Sequence, residues 1–135
     1  MIFSIAVLLH IISAAAWFGL GLGLSAQARA VATDAGTRTV TLMGVFSVLT
    51  LVFGLTALLL GRGFAGYGPQ FHTSLLLIVV LVGVQYGLIR PAWNKLAAGD
   101  ASARGRVAMG TGIGHLVWLV ILVLMLWEQY FSRMF

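Results

Sequence analysis

Four stretches without a single charged side chain, residues 1–28, 39–61, 63–89 and 107–127, dominate this chain of 135 residues. Each reaches the roughly 20 apolar residues that a helix needs to cross the hydrocarbon core of a bilayer. Lipid offers no water to unpaired backbone groups, so such stretches have to be helical. The expected fold is all-α: an integral membrane four-helix bundle forming one domain over residues 1–135, with helices near 2–26, 40–61, 71–90 and 107–131. Composition agrees, because 61% hydrophobic against 8% charged residues leaves too little polar surface for a water-soluble fold. Ala26 and Ala28 make a small-x-small site of the kind that ends a signal peptide. No Lys or Arg precedes the run, however, and it is long enough to span, so a retained helix is expected.

The formal net charge of +5 does not point to nucleic acid, because the cations sit between apolar runs rather than along one folded face. They read as membrane anchors. Arg29, Arg38, Arg90, Lys95, Arg104 and Arg106 fall in the loops on one side, and only Arg62 and Arg133 on the other. Positive loops stay in the cytoplasm, which puts both termini on the non-cytoplasmic side of what is expected to be a bacterial inner membrane. Trp93 is then expected at the inner interface, and Tyr67, Trp127 and Tyr130 at the outer one. Glycines four apart, Gly19 with Gly23, Gly83 with Gly87 and Gly110 with Gly114, let helices approach closely. Expected partners are the lipid bilayer and either further copies of the chain or other membrane subunits.

With no cysteine, disulfides, iron–sulfur clusters and thiolate metal sites are excluded. Ionisable groups inside a bilayer are costly enough to count as functional candidates, and here they are His10, His72 and His115. A lone intramembrane imidazole bonded to a carbonyl is an ordinary structural arrangement. Three of them on three helices, beside only three acidic residues in the chain, favour ligation. Imidazole is the usual axial ligand of haem iron, and bundle interiors hold such cofactors between facing helices. His10, Ser13, Trp17 and Gly21 share one face of the first helix, giving a ligand, a hydroxyl, an aromatic wall and an open patch. Trp17 as plain core, and Ser13 bonded to its own helix, explain the same residues.

Paired-acid catalysis is not expected, since Asp34 and Asp100 sit in loops and Glu128 near the outer end of the last helix beside Arg133. Met43, Met109 and Met125 could ligate copper, yet they lack a Met-x-x-Met spacing and read as core.

The stretch Leu9-His10-Ile11-Ile12 followed by Trp17-Phe18-Gly19-Leu20 resembles the first helix of the HemJ-type protoporphyrinogen oxidases and the related CopD-like and DUF2269-like small membrane proteins. Phe71-His72-Thr73-Ser74-Leu75, and Arg90-Pro91 followed by Ala97-Ala98-Gly99, resemble the third helix of that family and the loop beyond. The resemblance covers about 40 residues and implies a bundle of four membrane helices with His10 as a haem ligand. Three features of the family are missing. Ser74 stands where it has lysine, Gln85-Tyr86 where it has Tyr-His, and no Asn-Glu-x-Pro segment opens the last helix. The resemblance therefore does not carry over the porphyrinogen-oxidising reaction.

Together these readings point to a membrane protein that binds haem b and passes electrons between a lipid-soluble donor, a quinol or porphyrinogen, and a partner. Two alternatives stand beside it: a non-catalytic accessory subunit of a larger respiratory or photosynthetic complex, and copper handling. Depths along the helices set His10 and His72 about 6 Å apart in height and His10 and His115 about 11 Å. His72 is the favoured second ligand, with Arg62 placed for the propionates and His115 left as an alternative ligand or a second site.

Overall fold

The computed structural model describes residues 1–31 and 33–131, and among these four long helices account for nearly all of the chain. They are α1 (Ile2–Ala30), α2 (Thr33–Leu60), α3 (Pro69–Ala97) and α4 (Arg104–Leu126), each apolar and long enough to cross a membrane. At 29 residues, α1 is about 43 Å long, which spans the hydrocarbon core and both headgroup layers.

The spans are the four expected, but all four boundaries on the Arg-rich side run further than expected. Once a helix has left the hydrocarbon, Arg, Ala and Thr continue it at little cost, so absence of charge underestimates its length. α1 ends where Val31 takes a left-handed conformation, φ 55°, and donates its N–H to the Gln27 carbonyl. Among the described residues it is the only non-glycine with positive φ. At the far end of α3, Pro91 does not stop the helix. A π-helical turn over Gln85–Ile89 precedes it, and the wider turn takes up the missing N–H and the crowding that proline brings.

Asp100 caps the short turn Ala101–Ala103 between α3 and α4, accepting from the Ser102 amide at 3.0 Å and from its hydroxyl at 2.5 Å. These bonds, with smaller help from Arg106 and Lys95, hold its carboxyl below the ordinary 3.8. A carboxylate lowered by folding stabilises above its unfolded pKa and loses that contribution as pH falls through the folded value. The melting temperature is therefore expected to drop more steeply below about pH 4 than that of an Asp100→Asn variant; coincident curves would exclude the cap as a contributor.

α1 packs on α2 and α4, and α3 packs on α4. α2 meets α3 mainly through the π turn and the segment beyond it, not through Pro69–Val84. The contiguous buried core follows that geometry: α1 contributes nothing to it before Trp17, and α2 nothing past Met43 except the half-buried Phe46. The bundle is thus closed from the level of Trp17 to the Arg-rich loops, while towards the termini the α1–α2 pair and α3 diverge.

Trp93 is packed between helices near the Arg-rich end. It is 1% exposed, donates from Nε1 to Thr37 Oγ1 at 3.0 Å, and packs directly against Gly36 of α2. Two turns of helix beyond the expected boundaries supply that contact, which is why span counting missed it. Among the glycine pairs, Gly110 and Gly114 are buried, whereas Gly19, Gly23, Gly83 and Gly87 face outward with nothing within 4 Å of an added Cβ.

Candidate functional site: three histidines at three levels

The sequence-predicted histidines occupy three separate environments. His10 is half-buried on α1, and its Nδ1 lies 2.8 Å from the Thr50 carbonyl of α2. A carbonyl can only accept, so Nδ1 carries the hydrogen and Nε2 keeps its lone pair. Gly54, one turn beyond Thr50, lets the ring approach: a Cβ there would stand 2.8 Å from both Cε1 and Nδ1. His10 therefore has a fixed ring, a fixed tautomer and a basic nitrogen, in the half of the molecule that lies outside the closed core.

His72 is exposed in the first turn of α3 and donates from Nδ1 to the Gly68 carbonyl at 2.9 Å. The same Gly68 gives its N–H to Glu128 Oε1 at 2.9 Å. Glu128 thus caps the start of α3, where a carboxylate meets the positive end of the helix dipole. It acts as a structural cap, and Arg133, its neighbour in the sequence, lies outside the described residues. Arg62, expected near propionates, has its guanidinium 5.9 Å from the centre of the Tyr67 ring.

His115 belongs to the middle of the bundle. Its Nε2 is buried without a protein partner, 3.0 Å from where a Gly21 Cβ would be. The Phe18 ring meets its edge at a centroid distance of 4.9 Å. Around this imidazole sits a cavity of about 30 Å³ lined by Trp17, Gly21, Met43, Gln85 and Thr111, among others. Gln85, 1% exposed at the first position of the π turn, accepts from Trp17 Nε1 at 3.3 Å, while its own Nε2 is buried without a protein partner. The cavity therefore presents an N–H donor from α3 and an unpartnered imidazole nitrogen from α4, which suits a small molecule that both accepts and donates, such as water. Ser25 and Thr111 join α1 to α4 beside it at 2.8 Å.

The structure does not bring the histidines together. The Trp17–Gln85 bond marks a common level on α1 and α3. From it His10 is seven residues, about 10 Å, away and His72 thirteen residues, about 20 Å, so they differ by about 9 Å in height rather than 6 Å. The His10 ring is also tied to α2, and the His72 ring to the start of its own helix. His115, level with Gly21, lies about 16 Å from His10 along α1. The predicted stripe divides likewise: Ser13, Trp17 and Gly21 are buried against neighbouring helices, and only His10 stays half-open. Met43 is buried and Met109 exposed, so the methionines do not converge. Among the described residues no three His, Asp or Glu side chains gather as a metal site would.

Sequence reading missed Gln85. The signal is present, since a primary amide in a charge-free span is itself expensive in lipid, but a search confined to ionisable residues passes over it. Compared with family models, curated proteins and solved structures, the chain matches none.

Proposed function

We propose that the protein is a membrane-embedded b-type haem protein in which His10 is the axial ligand. The observation that carries this reading is the commitment of His10 Nδ1 to the Thr50 carbonyl at 2.8 Å, which leaves Nε2 free. Metal-ligating imidazoles characteristically donate their second nitrogen to a carbonyl in this way, which fixes the ring and raises the basicity of the ligating atom. The space argues for the same end of the molecule. A cavity of about 30 Å³ at Trp17 is far below the several hundred Å³ of cofactor sites, so a porphyrin does not fit along the inward stripe. On this reading it sits beyond the core, where α2 and the first half of α3 make few contacts and His10 is half-open.

Haem bound there would supply one-electron chemistry. The chain's own parts are simple: the Thr50 carbonyl orients the ligand, Gly54 admits the ring, and the closed core below excludes water from that side. Arg62, at the same end, is the residue for propionates. A lipid-soluble quinol or porphyrinogen as donor, a bacterial inner membrane with both termini outside the cytoplasm, and self-association complete the reading. Protein purified in detergent is expected to show a Soret band that shifts on reduction with dithionite. A colourless preparation from haem-replete cells would overturn the proposal.

One observation favours a second reading, an accessory subunit. Gly19 and Gly23 on α1 and Gly83 and Gly87 on α3 are open to the outside, as a helix of a partner subunit would require.

A further inference from the structure

On the outer surface of the bundle, between α2 and α3, runs an apolar groove of about 360 Å³. Its walls include Val45, Val48 and Leu49 of α2 and the Tyr86 ring of α3. Tyr86 is held in place by donating its hydroxyl to the Gly44 carbonyl at 3.0 Å, an approach that a side chain at position 44 would obstruct. At the end nearest the Arg-rich loops the groove is closed by Arg90, whose guanidinium stands 5.8 Å from the centre of the Tyr86 ring.

Dimensions and charge identify what fits. The α2 residues that line the groove run from Val40 to Leu49, a rise of nine steps or about 14 Å. That is close to half of the hydrocarbon thickness of about 30 Å, the depth of one leaflet. The cation lies at the headgroup end and the aliphatic walls rise from it towards the bilayer centre. Arg38, exposed on α2, stands three, seven and ten residues before Thr41, Val45 and Val48, on the same face and one turn beyond the groove. Neither guanidinium has a carboxylate partner among the described residues. Asp100 and Glu128 are engaged at Ser102 and Gly68, and Asp34, one turn before Arg38, forms no ion pair with it. Two unpaired guanidiniums at the mouth of a leaflet-deep apolar groove match a phosphate ester above an acyl chain.

We propose that this groove is a specific site for one anionic phospholipid, with its phosphate between Arg90 and Arg38 and one acyl chain along Val45, Val48 and Leu49. The site is distinct from the haem reading and touches none of its residues.

The test is native mass spectrometry of the intact protein released from detergent micelles containing equal phosphatidylglycerol and phosphatidylcholine. One phosphatidylglycerol is expected to be retained about fivefold over phosphatidylcholine. Arg90→Gln should reduce that preference severalfold, and Arg38→Gln combined with Arg90→Gln should remove it. Val48→Trp, which fills the groove without touching a charge, should reduce retention of both lipids. All of these positions are exposed or border lipid, and melting temperatures of the variants check that each is folded. Equal retention of the two lipids by the unaltered protein would overturn the proposal. So would a preference that survives the double arginine variant, or retention of a neutral isoprenoid in place of phosphatidylglycerol.

Discussion

Gly36→Ala is expected to destabilise the protein by about 3 kcal/mol, at the upper end of what one added methyl group costs in a packed interior. Gly36 of α2 lies directly under the indole of Trp93, so close that an added Cβ would occupy the ring itself. Relief would require the indole to move. It is 1% exposed, rigid, and tied through Nε1 to Thr37 at 3.0 Å, so moving it gives up both the bond and the burial of the largest side chain in the core. The alternative is to part α2 from α3 near the Arg-rich loops, where they are in contact. Intrinsic tryptophan fluorescence during thermal unfolding in detergent measures the effect. Gly23→Ala is the contrasting control: it meets nothing within 4 Å, and its gain in helix propensity should leave stability unchanged or raised. Trp93→Leu should restore most of what Gly36→Ala removes. If Gly36→Ala and the parent melt within a degree of each other, the wedge is not what joins these helices.

Much of this architecture is legible in the amino-acid sequence, and the reason is physical. In lipid one rule dominates: the backbone must be satisfied within the helix, so an uninterrupted apolar stretch near 20 residues has only one common solution. That rule governs spans but not contacts. The preference of aromatic residues for the interface gives Trp93 an expected depth but no partner, and its partner is Gly36, far away in the sequence. The continuation of α3 through Pro91 depends on a π turn, and nothing in the local sequence distinguishes that turn from a helix end. The role of Gln85 depends on its bond to Trp17 and on the imidazole of His115, which share one cavity only in the folded bundle. The stripe of His10, Ser13, Trp17 and Gly21 is a correct helix face, but periodicity cannot tell that neighbouring helices cover three of the four. Depth counting fails for His72 by about 3 Å because α3 begins with Pro69 and extends past Arg90, which shifts its midpoint.

The largest functional effect is expected at His10. On the haem reading, His10→Ala should lower the amount of reducible haem that copurifies by at least about tenfold, the smallest change that loss of an ordering contact around a metal usually brings. No other imidazole can replace it. His115 is about 16 Å away along α1, and His72 is about 9 Å higher and bonded to Gly68. His115→Ala and His72→Ala should therefore leave the reduced Soret band in place. Haem lost through general unfolding would give the same result as a lost ligand, so two further measurements separate them. His10→Gly opens a hole of imidazole shape against Gly54, and added imidazole is expected to restore the band, which it could not do for an unfolded chain. Gly54→Val leaves His10 present but puts a side chain where its ring lies, 2.8 Å from Cε1 and Nδ1 at the first added atom. The ring must then leave the Thr50 carbonyl, its tautomer is no longer fixed, and the band should weaken or change spin state while the histidine count stays the same. A band unaltered in both His10→Ala and Gly54→Val would remove His10 from the site. A band lost in His72→Ala as well would mean that the two ends of α1 and α3 close on one iron, across the gap that separates them in this structure.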